Sequence, residues 1–120
     1  CCLRPGVEGL SENIHVRSII GRFLEHTRVF YFENGGNPEI WCGSADLMKR
    51  NLLRRVETCF PIESKKLRQR ILDDLETYLS DNSQAWILNA DARYQRVEKT
   101  ESEPAIAAQL SLLEQMAKTY

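Results

Sequence analysis

Between residues 63 and 82 the spacing of apolar side chains changes, and that change limits the folds open to this chain. In "ESKKLRQRILDDLETYLSDN" the apolar positions are Leu67, Ile71, Leu72, Leu75 and Leu79. Steps of three and four place them on one side of a helix, with Lys65, Lys66, Arg68 and Arg70 facing water. Upstream the pattern is that of strands. "NIHVRSII" (13–20) sets Ile14, Val16 and Ser18 on one side and His15, Arg17 and Ile19 on the other. That is a half-buried strand, with a short helix as the alternative, ended by Gly21. "RVFYFEN" (28–34) reads as a buried strand and "NGGNP" (34–38) as a hairpin turn, since Asn and Gly adopt positive φ cheaply. "EIWCGS" (39–44) returns as its partner, "ADLMKRNL" (45–52) forms a short helix, and "RRVETCFPI" (54–62) is a further strand.

Beyond the helix, "SQAWILNAD" (83–91) and "ARYQRVE" (92–98) are expected as short strands. Ser102, Glu103 and Pro104 open a last helix with Ile106, Leu110, Leu113 and Ala117 on one face. At the start, residues 1 to 4 are extended until Pro5-Gly6, "GVEGLSEN" is loop, and Trp41 and Trp86 belong to the core. Strands, helix, strands, helix describe an α+β (mixed α/β) chain, one domain in 120 residues, with a mixed β-sheet and flanking helices. Residues 1–62 are strand-rich, 63–97 hold the helix and short strands, and 98–120 a linker and the terminal helix.

The formal net charge is -1, so bulk charge does not argue for nucleic acid or a membrane surface. No stretch is apolar enough to span a bilayer and no signal peptide is visible. "CCLRPG" opens the chain without methionine and reads as the inside of a strand, so the chain looks like a piece of a longer protein with sheet neighbours upstream. Cys1, Cys2, Cys42 and Cys59 form no C-x-x-C pair and have no histidine at ligand spacing. Reduced, buried, cytoplasmic thiols are expected, and no metal site.

One constellation carries chemistry. His26 and Arg28, two apart on a strand, share a face and set a proton-transfer or nucleophilic group beside a permanent cation. An arginine fork grips phosphate oxygens in a bidentate way. The pair suits phosphoryl transfer better than acyl transfer, which needs an oxyanion hole and a hydroxyl or thiol nucleophile. The spacing runs His26-x-Arg28-x4-Glu33, followed by "IWCGSAD" (40–46), where Gly43 and Ser44 bring N–H groups and a hydroxyl near an anion. "KRNLLRR" adds Lys49, Arg50, Arg54 and Arg55, with Glu57 behind. Taken singly, His15 is a surface residue, Ser44 a turn residue and the basic run a solvated face; the joint spacing is what points to a polyanion site.

That joint pattern resembles the phospholipase D superfamily motif H-x-K-x4-D with a G-S-x-N segment. Arg28 stands for the lysine, Glu33 for the aspartate and Asp46 for the asparagine. "LRPG…SENI…VRSI…GRFLEH" and "IWCGSADLMKRNLLRRVETCFPI" are more specific, and resemble the C-terminal phospholipase-D-like domain of the long-type bacterial polyphosphate kinases. The likeness is strong through residue 62, looser over 63–97, and does not place the helix 103–120. It implies reversible transfer of the terminal phosphate of ATP to inorganic polyphosphate, with Mg2+, through a phosphohistidine on the preceding domain. It implies that His26 moves a proton or stabilises the phosphohistidine step. Arg28, Arg55, Ser44 and Arg4 would bind phosphate, with Glu57, Glu33 and Asp46 in support. The partners implied are ATP or ADP, polyphosphate, the other domains of the same polypeptide, and further copies in a homo-oligomer. Nucleic acid is not among them. The location implied is cytoplasmic, with peripheral association at the inner membrane. This chain would hold half of a site, bind no ATP or Mg2+ tightly, and be inactive alone. Two other readings stand beside it: a phosphodiesterase of the same superfamily, and a non-enzymatic polyanion-binding module.

Overall fold

The computed structural model describes residues 3–119, and the chain divides into two compact units: residues 1–23 with 74–120, and residues 24–73. Six strands and three helices follow the expected order: β1 (Val16–Ile19), β2 (Val29–Phe32), β3 (Glu39–Gly43), α1 (Lys49–Arg54), β4 (Cys59–Pro61), α2 (Lys65–Ser80), β5 (Ala85–Leu88), β6 (Tyr94–Arg96) and α3 (Ala108–Thr119). The mixed α and β class holds. In place of one mixed sheet, the strands sort into two three-stranded sheets, β1-β5-β6 and β2-β3-β4, both wholly antiparallel. Short connections account for part of this: hairpins join β2 to β3 and β5 to β6, and parallel neighbours would need a long crossover.

In the first unit, β5 is the central strand, pairing Val16 with Leu88 and Ile19 with Ala85 on one edge and Leu88 with Tyr94 on the other. Ala85, Leu88, Ala108 and Leu112 are its buried apolar side chains. β1 does not alternate cleanly, because all four of its residues are half-buried. Leu3 and Arg4 lie in no strand, and Cys1 and Cys2 fall outside the described residues. The loop after them is closed by Ser11, whose hydroxyl donates to the Arg4 carbonyl at 2.7 Å and accepts from the Val7 N–H. Arg4 itself donates from Nε to the Ala90 carbonyl at 2.6 Å.

α3 starts at Ala108, later than Ser102-Glu103-Pro104 suggests. The start is decided across the unit. Asp81 accepts the Ala108 N–H at 2.7 Å, Asn82 accepts the Ile106 N–H and donates to the Pro104 carbonyl, and Glu103 turns back to the Thr100 N–H. The buried face is accordingly Ala108, Gln109 and Leu112, while Leu110 and Leu113 are exposed. Gln109 is bonded through both ends of its amide to Phe23, accepting from its N–H at 3.0 Å and donating to its carbonyl at 2.7 Å. A Cβ at Gly21, two residues after β1, would stand 2.2 Å from that amide oxygen, so a side chain there would force the Gln109 amide to move.

In the second unit β3 is central, with Val29 opposite Cys42 and Gly43 opposite Cys59. β2 is half-buried at Val29 and Phe30 and exposed at Tyr31 and Phe32, where a buried strand was expected. Ile40 is its buried apolar side chain. Trp41 and Trp86 are half-buried rather than core. The turn between β2 and β3 contains a short 3-10 segment, Asn34–Gly36, and Asn34, Gly35 and Gly36 all have positive φ, as the composition demanded. Arg68 is half-buried and donates to the Pro38 carbonyl at 3.3 Å, so one of the basic residues assigned to water supports this turn instead. Cys42 is half-buried and Cys59 exposed, both with free thiols.

Candidate functional site

His26 and Arg28 precede β2 rather than lying on it. Their relation is therefore not a shared strand face. Arg28 turns its guanidinium back along the chain, donating from Nη1 to the His26 carbonyl at 2.7 Å and from Nε to Asp46 Oδ1 at 2.8 Å. The His26 side chain is exposed. Gly43 holds the same end of the hairpin from the other side, its N–H donating to the Arg28 carbonyl at 3.1 Å. His26, Arg28 and Asp46 are thus one bonded group built from the entrance of β2 and the exit of β3.

The electrostatics agree. The hydrogen bond from Arg28 holds the Asp46 carboxyl below its ordinary value, and the charges of Arg28, His26 and Arg50 add to this against a smaller loss of hydration. The same bond, with the negative charges of Asp46 and Glu57, raises the Arg28 guanidinium further. Arg28 is a fixed cation whose Nε and Nη1 are committed, leaving the outer edge of the fork for an anion.

Ser44 and Glu57 form the neighbouring group. The Ser44 hydroxyl donates to Glu57 Oε2 and accepts the Thr58 N–H at 2.9 Å, while the Ser44 N–H donates to the Thr58 carbonyl at 2.9 Å. Glu57 Oε1 accepts from Asn51 Nδ2 at 3.2 Å. Beside them a cavity of about 340 Å3 is lined by Phe30, Gly43, Asn51, Arg55, Glu57 and Cys59 among others. Arg55 is exposed, in extended conformation immediately after α1, at the wall of that cavity.

One expected member of the same unit lies away from the Arg28 end. Glu33 sits at the turn end of the hairpin, where Tyr31 donates its hydroxyl to it. The four residues of β2, about 13 Å at the ordinary rise, separate it from the Arg28 end. Arg4 belongs to the first unit and is engaged with Ala90. Asn51 was not singled out from the sequence. The one signal for it is an asparagine, a poor helix former, inside the short helix α1.

Among the described residues, no group of three His, Cys, Asp or Glu side chains stands together as metal ligands would. Asp46 and Glu57 are occupied by Arg28, Ser44 and Asn51. The residues present do not by themselves fit a Mg2+ site. No helix among the described residues is long and apolar enough to cross a membrane.

Residues 1–109 match the family model described as polyphosphate kinase C-terminal domain 2. The chain is similar to a polyphosphate kinase of Pseudomonas aeruginosa, 60% identical over 117 residues, covering 98% of this chain and 17% of that protein. It is 56% identical over 94 residues to polyphosphate kinase 1 of Chlorobaculum tepidum, covering 78% of this chain and 14% of that one. Among solved structures, the polyphosphate kinase of Porphyromonas gingivalis superposes with a TM-score of 0.89 at 35% identity, over 99% of this chain and 18% of the other. The chain thus spans less than a fifth of each of these relatives. On the family match and these identities, the chain belongs to the polyphosphate kinase C-terminal domain 2 family.

Proposed function

We propose that this chain supplies one half of the active site of a polyphosphate kinase, an enzyme that reversibly transfers the terminal phosphate of ATP to inorganic polyphosphate. The observation that carries this reading is the Arg28 clamp, which ties His26, Arg28 and Asp46 of the sequence motif into one group with an unspent guanidinium edge. Phosphoryl transfer rests on positioning and on neutralising several oxygens at once. Arg28 and Arg55 are the cations that would meet those oxygens. His26, exposed beside Asp46, would carry a proton or stabilise a phosphohistidine formed on another part of the polypeptide. Asp46 orients Arg28, and Glu57 keeps Ser44 and the cavity wall in place. Mg2+, which the family resemblance adds, would travel with the substrate phosphates or be held outside this chain. The same resemblance extends the proposal to a homo-oligomer, to cytoplasmic location and to peripheral contact with the inner membrane.

The test is formation of acid-stable polyphosphate from labelled ATP by the intact polypeptide. His26→Ala and Arg28→Ala are expected to lower the rate by about 100-fold or more, the scale of losing a group that stabilises the transition state. The 120-residue chain alone should make none. In NMR titration with short-chain polyphosphate, the His26 imidazole should shift, His15 should not, and Arg28→Ala should blunt the response. Equal shifts at both histidines, or polymer made by the short chain, would refute the half-site reading.

A further inference from the structure

Asn51 is 4% exposed, lies inside α1, and leaves its Oδ1 buried without a hydrogen-bond partner. A residue kept only for packing would not be an amide here. Asparagine is a poor helix former, and a buried carbonyl with no donor is a cost that leucine or alanine would avoid. What the amide does achieve is the contact from its other end, Nδ2 to Glu57 Oε1 at 3.2 Å. The opposite assignment of the amide would set its oxygen against the carboxylate, so the donor end is the one that faces Glu57. With the Ser44 hydroxyl on Oε2, the carboxylate is held at both oxygens, and its rotation is blocked.

We infer that Asn51 is a positioning residue: through Nδ2 it fixes the orientation of the Glu57 carboxylate beside Arg28 and Arg55. The inference rests on the half-site reading above. A carboxylate held at one oxygen only is free to turn toward Arg55, which lines the same cavity, and so to occupy a cation that should meet phosphate. Held at both oxygens, it contributes its charge to Arg28 and leaves Arg55 open. The titratable and charged groups around it are Arg28, Arg55 and the Cys59 thiol.

The experiment measures kcat and KM for ATP between pH 6 and 8 in the intact polypeptide, for Asn51→Ala, Asn51→Asp and Glu57→Gln. Asn51→Ala should lower kcat about 10-fold or more, the effect of one hydrogen bond to a charged group, with KM changed less than about two-fold. Asn51→Asp places a second carboxylate against Glu57, so it should be the poorer enzyme at pH 8. It should recover relative to Asn51→Ala as pH falls, because a proton shared by the two carboxylates restores a donor. A kcat for Asn51→Ala within about two-fold of the unmodified enzyme overturns the inference. So does an equal deficit of the two variants at every pH, and so does failure of both to fold, which would assign Asn51 to the fold. A Glu57→Gln enzyme as active as the unmodified one would instead remove Glu57 from the site, and the half-site reading would have to be redrawn without it.

Discussion

The side chain of Asp81 is 1% exposed and accepts four backbone N–H bonds: Ser83, Gln84 and Ala85 on Oδ1, and Ala108 on Oδ2. Burial pushes its carboxyl up, and the donors from Ala108, Gln84, Ser83 and Ala85 together outweigh burial, so it lies below the ordinary carboxylate range. A folded-state value depressed below the unfolded one means stability that is present above the unfolded pKa, about 3.9, and lost as pH falls through the folded value. Asp81→Ala should therefore cost about 3 kcal/mol at neutral pH, from donors left buried and unpaired. Asp81→Asn should cost less, and its deficit against the unmodified chain should shrink below about pH 4. Thermal denaturation across pH 3 to 7 checks both, and a deficit that does not depend on pH would rule out the charged cap. In the sequence Asp81 reads only as a polar residue after a helical stripe, because the N–H it caps in α3 is 27 positions away. His26 and Arg28 stood out in the sequence by contrast, through their joint spacing with Glu33 and the Gly43-Ser44-x-Asp46 segment, which is read without the fold. What each holds was not legible there: the guanidinium bonds to a backbone carbonyl and to an aspartate 18 positions on.

At the scale of elements, periodicity located α2 closely and α3 poorly. α2 (Lys65–Ser80) has its own stripe, with Ile71, Leu72 and Leu75 half-buried and the ends Leu67 and Leu79 exposed. α3 has apolar residues on more than one side, so spacing alone could not choose the face. The capping by Asp81 and the docking of Gln109 on Phe23 made that choice. Leu112, 5% exposed, should cost about 2 to 4 kcal/mol when changed to alanine, and Leu113, 51% exposed, less than about 1. Chemical denaturation of the two variants measures the difference, and a reversed order would put the buried face where the spacing of Leu110 and Leu113 suggested. The hairpin of β2 and β3 was legible because positive φ at Asn34, Gly35 and Gly36 is a local demand on residue type. The exposure of Tyr31 and Phe32 was not, because burial depends on what covers a strand.

For the whole molecule, the buried apolar side chains are unevenly shared. Ala85, Leu88, Ala108 and Leu112 lie in the first unit, and Ile40 alone, among the described residues, in 24–73. Fewer buried contacts mean cheaper local opening. In the 120-residue chain the amides of β2 and β3 should exchange with solvent at least about 10-fold faster than those of β5. Native-state hydrogen exchange followed by NMR decides this, and equal protection would show that the two units open together. The sequence by itself determined the types and order of the elements, the hairpin, the His26–Arg28 motif and the family, because each is written in spacings of a few residues. Only the tertiary structure decided the division into two antiparallel sheets, the face and start of α3, and the roles of Asp81 and Asn51. It also removed Glu33 from the neighbourhood of His26. Those outcomes depend on hydrogen bonds and burial between residues far apart in the chain, and no local pattern encodes them.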